Sequence, residues 1–214
     1  MKWDYEFDVV VVGSGNGALT SAICSHDGGA KTLVIEKSDQ YGGTSATSGG
    51  GVWIPNNRYA KAEKVDDSDQ DARDYINSVS PEGKIKDELV ETYIAEGPKM
   101  IDYLHENSQV KYRNLAHYPD YFPDNPGGKA GNRSMEPEPI KGTELGDDLG
   151  RLRGQHPQTA FTMGPINMNF TQVEGQLLLG ALPGWKSQFA KLFTKYILDI
   201  PMRIKWGWKD RRLT

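Results

Sequence analysis

A glycine-rich turn near the start of the chain constrains the possible folds more than any other sequence feature. Residues 13–18 read GSGNGA and match the pattern G-x-G-x-x-G/A. The turn follows an apolar run at 7–12, which predicts a fully buried strand, and it opens a helical pattern over 16–27. A second strand is predicted over 31–36, and two strands joined by one helix predict a parallel pair. The expected fold class is therefore α/β, a Rossmann-like βαβ fold that is incomplete and carries helical and loop-rich additions.

The small residues of this turn are suited to holding a phosphate group. Gly13 permits the tight turn, Gly15 lets the backbone approach a pyrophosphate, and Ala18 allows close packing of helix on strand. The unpaired N–H groups at the positive end of the helix favour an anion. Glu36 follows Gly15 by twenty-one residues, where a carboxylate accepts hydrogen bonds from a ribose and disfavours a 2′-phosphate. The predicted dinucleotide contacts in this part are Gly13, Ser14, Gly15, Gly17, Ala18, Glu36 and Lys37.

A second run of small and hydroxyl-bearing residues follows at 42–51 and leads into the apolar string VWIP at 52–55. A flavin dinucleotide is longer than one βαβ crevice, so it needs further backbone donors without side-chain bulk. Such a loop supplies them, which favours FAD over NAD as the cofactor. A flexible linker is the alternative, and the apolar end at 52–55 fits it poorly. The predicted FAD contacts here are Gly42, Gly43, Thr44, Ser45, Ser48, Gly49 and Gly50.

Two sets of motifs resemble one known family, the 3-ketosteroid Δ1-dehydrogenases (3-oxosteroid 1-dehydrogenases) of the FAD-dependent fumarate reductase/succinate dehydrogenase-like flavoprotein superfamily. The first set comprises FDVVVVGSGNGALT at 7–20, GGTS at 42–45 and SGGGVWIP at 48–55. The second set, YPDYF at 118–122 and GNRS at 131–134, resembles the active-site loop of that family. The resemblance implies an FAD-dependent oxidoreductase that introduces a C1–C2 double bond into 3-ketosteroids during steroid degradation.

The resemblance also implies a catalytic role for Tyr121. In that family a tyrosinate-like base takes a proton from steroid C2, the C1 hydrogen leaves as hydride to the flavin, and other donors polarise the C3 carbonyl. Because an ordinary phenol has a pKa near 10, a neighbouring phenol must share the charge, and Tyr121 occupies that helper position. A tyrosine packed in a proline-rich loop is the alternative. The family's main base lies further downstream, so the resemblance implies an N-terminal fragment that is inactive alone.

Three other functions share parts of this pattern. A fumarate reductase-type flavoprotein and a ketosteroid 4-dehydrogenase would carry the same cofactor turn. A non-catalytic dinucleotide-binding module would need only that turn and would bind NAD or ADP without flavin. The partners implied by the resemblance are a 3-ketosteroid substrate and an electron acceptor of unspecified identity.

Composition and charge exclude several other classes of protein. The chain has 214 residues, one cysteine, four histidines and a formal net charge of −4. The single Cys24 excludes an internal disulfide framework, and we expect it to be a small buried hydrophobe in the first helix. No metal site is predicted, because the histidines show no paired spacing, and the negative charge argues against nucleic-acid binding. The first residues hold no secretory hydrophobic region, so a cytoplasmic location is expected.

Two regions are predicted along the chain. Residues 1–165 would form the N-terminal part of the FAD-binding domain with its active-site loop, and residues 166–214 an amphipathic basic segment leading into the remainder of a longer enzyme. Within the first region, Ser68 is a predicted helix N-cap. Further along, a Gly-Pro pair is predicted to separate two helices at 84–96 and 98–107.

The last thirty residues form a basic and aromatic segment. Residues 185–214 carry eight Lys and Arg residues against two Asp residues. Residues 189–200 place apolar side chains at helical spacing, so an amphipathic helix is predicted. One interpretation is a peripheral membrane contact through residues 185–212, on an anionic lipid surface. The other is a helix that packs its apolar face on another part of the enzyme while the cations remain solvated.

Overall fold

The chain divides into two units, one formed by residues 1–49 and 140–214 and the other by residues 50–139. The computed structural model describes residues 3–154 and 170–206. The predicted boundary after residue 165 lies outside the described residues and stays a prediction. The strands are β1 (Val9–Val12), β2 (Thr32–Ile35), β3 (Val52–Trp53), β4 (Tyr112–Asn114) and β5 (Ser134–Pro137), and the α-helices are α1 (Asn16–Asp27), α2 (Arg58–Ala62), α3 (Asp69–Val79), α4 (Asp87–Asn107), α5 (Gln172–Leu179), α6 (Trp185–Leu198) and α7 (Ile200–Trp206), with 3₁₀ turns at Ser45–Thr47 and Gly142–Arg151.

The first unit begins with the predicted βαβ arrangement. Strands β1 and β2 pair in parallel, with Val9 opposite Thr32 and Val12 opposite Ile35. Helix α1 connects them and ends at Gly28, where the backbone N–H caps the carbonyl of Cys24. The fold class predicted from the turn and its flanking patterns is therefore confirmed.

The burial expected for this βαβ unit is wrong. Val12 of β1 is 78% exposed, and no residue of α1 is buried. Cys24, which was expected to be a small buried hydrophobe, is exposed. The physical reason is that β1 and β2 form a sheet of two strands, which has too little surface to cover the helix and both strand faces.

Helices α5 and α6 of the first unit share a small apolar cluster. Leu192 and Tyr196 of α6 are buried and pack against Phe170 and Leu178. Helix α5 starts with a capping box in which Thr171 and Glu174 satisfy each other's backbone N–H groups. The predicted amphipathic helix is present, but its buried face is narrower than the sequence pattern indicated.

The second unit is built around a three-stranded antiparallel sheet with the order β3-β5-β4. Strands β4 and β5 have only three and four residues, so the sequence pattern gave no sign of them. Ile54, Ile101, Tyr112 and Met135 form the buried cluster that joins the sheet to α4.

Helix α3 confirms the predicted N-cap. The Ser68 hydroxyl accepts a hydrogen bond from the Asp71 backbone N–H at 3.1 Å. Ala72 packs with Val90 and Ile94 of α4 in a second apolar cluster. This helix could be predicted from the sequence because its N-cap residue and its periodic apolar residues indicate the same segment.

The predicted break at the Gly-Pro pair is wrong, because α4 runs through Pro98 without interruption. A proline inside a helix costs about 3 kcal/mol, since it lacks the N–H that would bond to the carbonyl four residues earlier. Each buried aliphatic side chain contributes about 1.5–3 kcal/mol, so a continuous apolar stripe outweighs that loss. At Gly97 a Cβ would lie 3.3 Å from Ile54 Cδ1, so the glycine lets this side chain approach the helix. The stripe comprises Val90, Ile94, Gly97, Ile101 and Leu104.

Candidate functional site

The glycine-rich turn in the first unit connects β1 to α1 and lies next to the C-terminal end of β2. Gly13 has a φ of +99°, a conformation that favours glycine. Its backbone N–H donates to the carbonyl of Ile35 at 2.7 Å, which ties the turn to the end of the second strand. The turn therefore opens beside Glu36, the residue that follows β2.

Ser14 connects three parts of this site. Its side chain is buried, and its hydroxyl donates to Glu36 Oε2 at 2.5 Å while accepting a hydrogen bond from the Gly42 backbone N–H at 2.9 Å. The Ser14 hydroxyl, followed by the Ser38 backbone N–H, holds the pKa of Glu36 below its ordinary value of 4.5. Glu36 is therefore an ionised acceptor at neutral pH, and its orientation is set from the turn.

The N-terminus of α1 is open to an anion. No side chain caps this helix at Gly15, and its first turn contains no acidic residue. The backbone N–H of Asn16 donates to the Ser45 hydroxyl at 3.0 Å, which brings the second loop to the helix end. The following N–H groups and the positive end of the helix remain suited to phosphate oxygens.

The second loop approaches the turn closely through glycine. Gly43 has a φ of +56°, and a Cβ at this position would lie 3.3 Å from the Cα of Gly15. The two backbones therefore meet without side chains between them. Just after this contact the loop forms the 3₁₀ turn Ser45–Thr47.

These segments enclose a cleft of about 810 Å³. The structure does not bring Gly42, Ser48, Gly49 or Gly50 into its lining. The Gly42 backbone N–H donates to the Ser14 hydroxyl instead, and the other three residues follow the 3₁₀ turn. The predicted contacts that do line the cleft are Gly13, Ser14, Gly15, Gly17, Ala18, Glu36, Lys37, Gly43, Thr44 and Ser45.

Arg153 also lines the cleft, and sequence reasoning did not find it. Tyr41 forms an isolated parallel bridge with Leu152, and the Arg153 backbone N–H donates to the Tyr41 carbonyl at 2.9 Å. This bridge brings a cation to the edge of the site from 112 residues further along the chain. Only a long-range pairing could reveal it, since the local sequence around Arg153 has no motif.

The second unit contains a separate aromatic pocket of about 300 Å³. Trp53 lines it and packs against the rings of Tyr75 and Tyr93, with centroids 5.9 and 6.3 Å away. Burial raises the pKa of Tyr93 above 10.0. Tyr121 lines the pocket with a side chain that is 83% exposed, so its phenol is free to meet another group. The pocket is lined by Trp53, Tyr75, Ile76, Val79, Tyr118, Pro119, Asp120, Tyr121, Phe122 and Ser134.

Comparison with known protein families matches residues 8–182 to the FAD binding domain family. The chain belongs to this family. The match includes both loops that line the cleft, so the cofactor of this FAD binding domain is FAD.

This FAD binding domain is similar to enzymes that act on steroids. It is 37% identical over 168 residues to 3-oxosteroid 1-dehydrogenase from Mycolicibacterium smegmatis, covering 78% of the chain and 29% of the relative. It is 36% identical over 220 residues to 3-oxosteroid 1-dehydrogenase from Comamonas testosteroni, covering 99% of the chain and 36% of the relative. The crystal structure of 3-ketosteroid Δ1-dehydrogenase from Sterolibacterium denitrificans, in complex with 1,4-androstadiene-3,17-dione, matches with a TM-score of 0.84 and 38% identity, covering 96% of this chain and 35% of that one. The chain therefore spans about a third of the length of these relatives.

The cleft of this FAD binding domain fits the dinucleotide. The uncapped end of α1 and the bare backbone of Gly15 and Gly43 suit the diphosphate, and the ionised Glu36 suits a ribose. Arg153 adds a cation at the edge. When bound, FAD supplies the two-electron acceptor of the flavoenzyme. Within residues 3–154 and 170–206, no group of three or more His, Cys, Asp or Glu residues could hold a metal ion.

Replacing Ser14 with Ala should raise the pKa of Glu36 towards 4.5, because it removes the donor that lowers this pKa most. A lowered pKa in the folded state means that the carboxylate stabilises the fold above pH 4.5 and that this stabilisation is lost as the pH falls through the lowered pKa. In Ser14→Ala the loss should occur at a higher pH. NMR titration of the Glu36 carboxyl carbon measures the midpoint.

Ser38→Ala is the matched control for this titration, because Ser38 donates to Glu36 through its backbone N–H, which alanine keeps. We expect its midpoint to equal that of the unmodified chain. An identical midpoint in Ser14→Ala would contradict the assigned role of Ser14.

Replacing Arg153 with Ala should weaken FAD binding about tenfold. A hydrogen bond to a charged group contributes about 1.5–3 kcal/mol, and about 1.4 kcal/mol corresponds to a factor of ten. Arg151→Ala is the control, because the Arg151 side chain is 69% exposed and lies outside the cleft lining. Titration of FAD fluorescence compares the two variants, and equal affinities would rule out a cofactor contact for Arg153.

Proposed function

We propose that this chain is the cofactor-holding part of a flavoenzyme that introduces a C1–C2 double bond into 3-ketosteroids. The observation that carries the proposal is the likeness to 3-ketosteroid Δ1-dehydrogenase from Sterolibacterium denitrificans, at 38% identity over 96% of the chain. The aromatic pocket with Tyr121 at its edge adds support from the chain's own residues.

In this proposal the two units have different roles, cofactor binding in the first and substrate binding in the second. The turn, Glu36 and Arg153 hold the dinucleotide, and the aromatic pocket offers apolar surface to a steroid ring system. The exposed phenol of Tyr121 shares the negative charge that develops on a second phenol while that group takes the C2 proton. This sharing is needed because a phenol with a pKa near 10 is a poor base at neutral pH.

The proposal is tested with the complete flavoenzyme, supplied with a 3-ketosteroid and an artificial electron acceptor. We expect loss of the C1 and C2 hydrogens and a new C1–C2 double bond, which NMR of the product locates. A double bond at C4 would identify a ketosteroid 4-dehydrogenase, and activity on fumarate alone would identify a fumarate reductase-type enzyme. Binding of NAD or ADP without retention of flavin would favour a non-catalytic dinucleotide-binding module.

We also propose that the enzyme is cytoplasmic and that α6 places it on an anionic membrane surface. Within residues 3–154 and 170–206, none of the helices combines the length and apolarity needed to cross a bilayer. However, α6 carries an exposed apolar stripe beside Lys186, whose ammonium lies 5.9 Å from the Trp185 ring centroid. Residues 207–212, which continue the basic segment, lie outside the described residues. The stripe comprises Trp185, Phe189, Phe193 and Ile197, which are 38–48% exposed.

Flotation with liposomes tests this membrane contact. We expect binding to vesicles that contain anionic phosphatidylglycerol, weaker binding to neutral vesicles, and loss of binding in the double variant Phe189→Ser/Phe193→Ser. Absence of binding to both kinds of vesicle would rule out the membrane contact and leave packing against another part of the enzyme as the interpretation of the stripe.

A further inference from the structure

We propose that Arg133 is a positioning residue that holds the tyrosine loop, residues 118–131, so that Tyr121 is presented at a fixed place beside the aromatic pocket. The inference rests on the proposed function only for the catalytic role of Tyr121. The anchoring itself is argued from contacts within the second unit.

Arg133 lies at the centre of a buried cluster of charges. Its guanidinium donates to Asp120 at 2.9 Å and to Asp67 at 2.7 Å, and all three side chains are at most 4% exposed. Burying charges carries a large desolvation cost, so a buried ion pair is weak evidence for stability. A second role is therefore needed to account for this cluster, and the neighbour of Asp120 in the chain is Tyr121.

Asp120 is the point at which the loop is held. Its Oδ1 accepts a hydrogen bond from Trp53 Nε1 at 2.7 Å, and its Oδ2 accepts one from the Lys129 backbone N–H at 3.0 Å. The Asp120 backbone N–H donates in return to the Lys129 carbonyl at 3.0 Å. These hydrogen bonds hold the two ends of the segment 120–129 together, and Asp120 in turn accepts a hydrogen bond from Arg133.

The rest of the loop is packed too tightly to move independently. At Gly127 a Cβ would lie 2.0 Å from the Asp71 carbonyl oxygen, and at Gly131 it would lie 2.1 Å from the Ala116 carbonyl oxygen. The Phe122 backbone N–H donates to the Tyr75 hydroxyl at 3.3 Å. The backbone on both sides of Tyr121 is therefore held, while the phenol ring itself remains exposed.

The planar fork of arginine is required for this arrangement. Nε and Nη2 of Arg133 both donate to Asp67, while Nη1 donates to Asp120. The guanidinium also lies 5.4 Å from the Trp53 ring centroid and 5.7 Å from that of Tyr75. The single ammonium of a lysine could keep the charge but could not reproduce these contacts together.

Hydrogen exchange on the 214-residue chain tests the anchoring. In Arg133→Lys we expect amides of residues 118–131 to exchange at least tenfold faster, while those of α4 keep their rates. Arg113→Lys is the matched control, because it alters another ion pair of the same unit, with Glu136, and should leave the tyrosine loop unchanged. If Arg133→Lys does not fold, the variant Asp120→Asn is used in its place, because it removes the carboxylate charge from the same contact. Unchanged exchange in 118–131 in a folded variant would overturn the proposal.

Kinetics of the complete flavoenzyme test whether the anchoring acts through Tyr121. Arg133→Lys should lower kcat for steroid dehydrogenation at least tenfold, with less change in KM and with the same FAD occupancy. In the double variant with Tyr121→Phe, Arg133→Lys should cause almost no further loss of kcat, because the hydroxyl that Arg133 positions is already absent. Additive losses would overturn the proposal in favour of a structural role. If the unmodified enzyme does not dehydrogenate steroids, the proposed function fails, and hydrogen exchange alone decides whether Arg133 anchors the loop.

Discussion

Replacing Gly15 with Val is expected to reduce the affinity for FAD about a thousandfold, or ~4 kcal/mol. Gly15 lies at the N-terminus of α1, and Gly43 of the second loop approaches its backbone directly. Gly15 lines the cleft, and a Cβ there would lie 3.5 Å from the Ser45 hydroxyl. We therefore expect the additional methyl groups of valine to occupy part of the cleft that we propose for the diphosphate. Losing two hydrogen bonds to charged oxygens, at about 1.5–3 kcal/mol each, accounts for the size of the effect.

Ala22→Val is the matched control for this change. It also introduces a β-branched valine, here by adding two methyl groups to an existing Cβ within α1, but Ala22 does not line the cleft. Titration with FAD, followed by quenching of flavin fluorescence, measures both affinities, and circular dichroism checks that both variants keep their helix content. If Gly15→Val bound FAD as tightly as the control, the diphosphate could not lie at this helix end.

In the complete flavoenzyme, replacing Tyr121 with Phe is expected to lower kcat for steroid dehydrogenation about a hundredfold or more. General acid–base assistance contributes about 10²–10⁴-fold, and a phenol that only shares the charge of the base contributes at the lower end. The side chain is 83% exposed, so removing its hydroxyl leaves no buried group unsatisfied and should not alter the fold. FAD occupancy should remain unchanged.

Tyr118→Phe is the matched control, because Tyr118 lines the same pocket and loses the same hydroxyl. Steady-state kinetics with one 3-ketosteroid compares the two variants. Equal, small losses in both would leave Tyr121 as a tyrosine packed in a proline-rich loop, which was the alternative interpretation of its motif.

Most residues that line the candidate cofactor cleft could be predicted from the sequence. The pattern at residues 13–18 and the carboxylate of Glu36 act through neighbours in the chain, and the structure brings both to one cleft. The loop after β2 was predicted less well, since only Gly43, Thr44 and Ser45 of its predicted contacts line the cleft. The point at which the loop turns away depends on its own 3₁₀ hydrogen bonds, which glycine and serine composition does not specify.

The pairing of distant residues could not be predicted. Arg153 reaches the cleft through a bridge between Tyr41 and Leu152, and no pattern near either residue indicates that contact. Arg133 was part of a recognised motif, but its partner Asp67 lies 66 residues earlier in the chain. The sequence patterns therefore missed Arg153 altogether, and they included Arg133 in a motif without indicating what it binds.

Local sequence by itself determined the elements whose causes lie within a few residues: the glycine turn, the parallel βαβ order and the helix capped by Ser68. Backbone sterics and capping hydrogen bonds act over that short range, so these elements are readable in advance. Tertiary structure decided the continuity of α4 through Pro98, the exposure of Cys24 and the buried cluster of charges around Arg133. Each depends on burial or ion pairing between segments far apart in the chain, and the free energy of those contacts exists only once the segments have met.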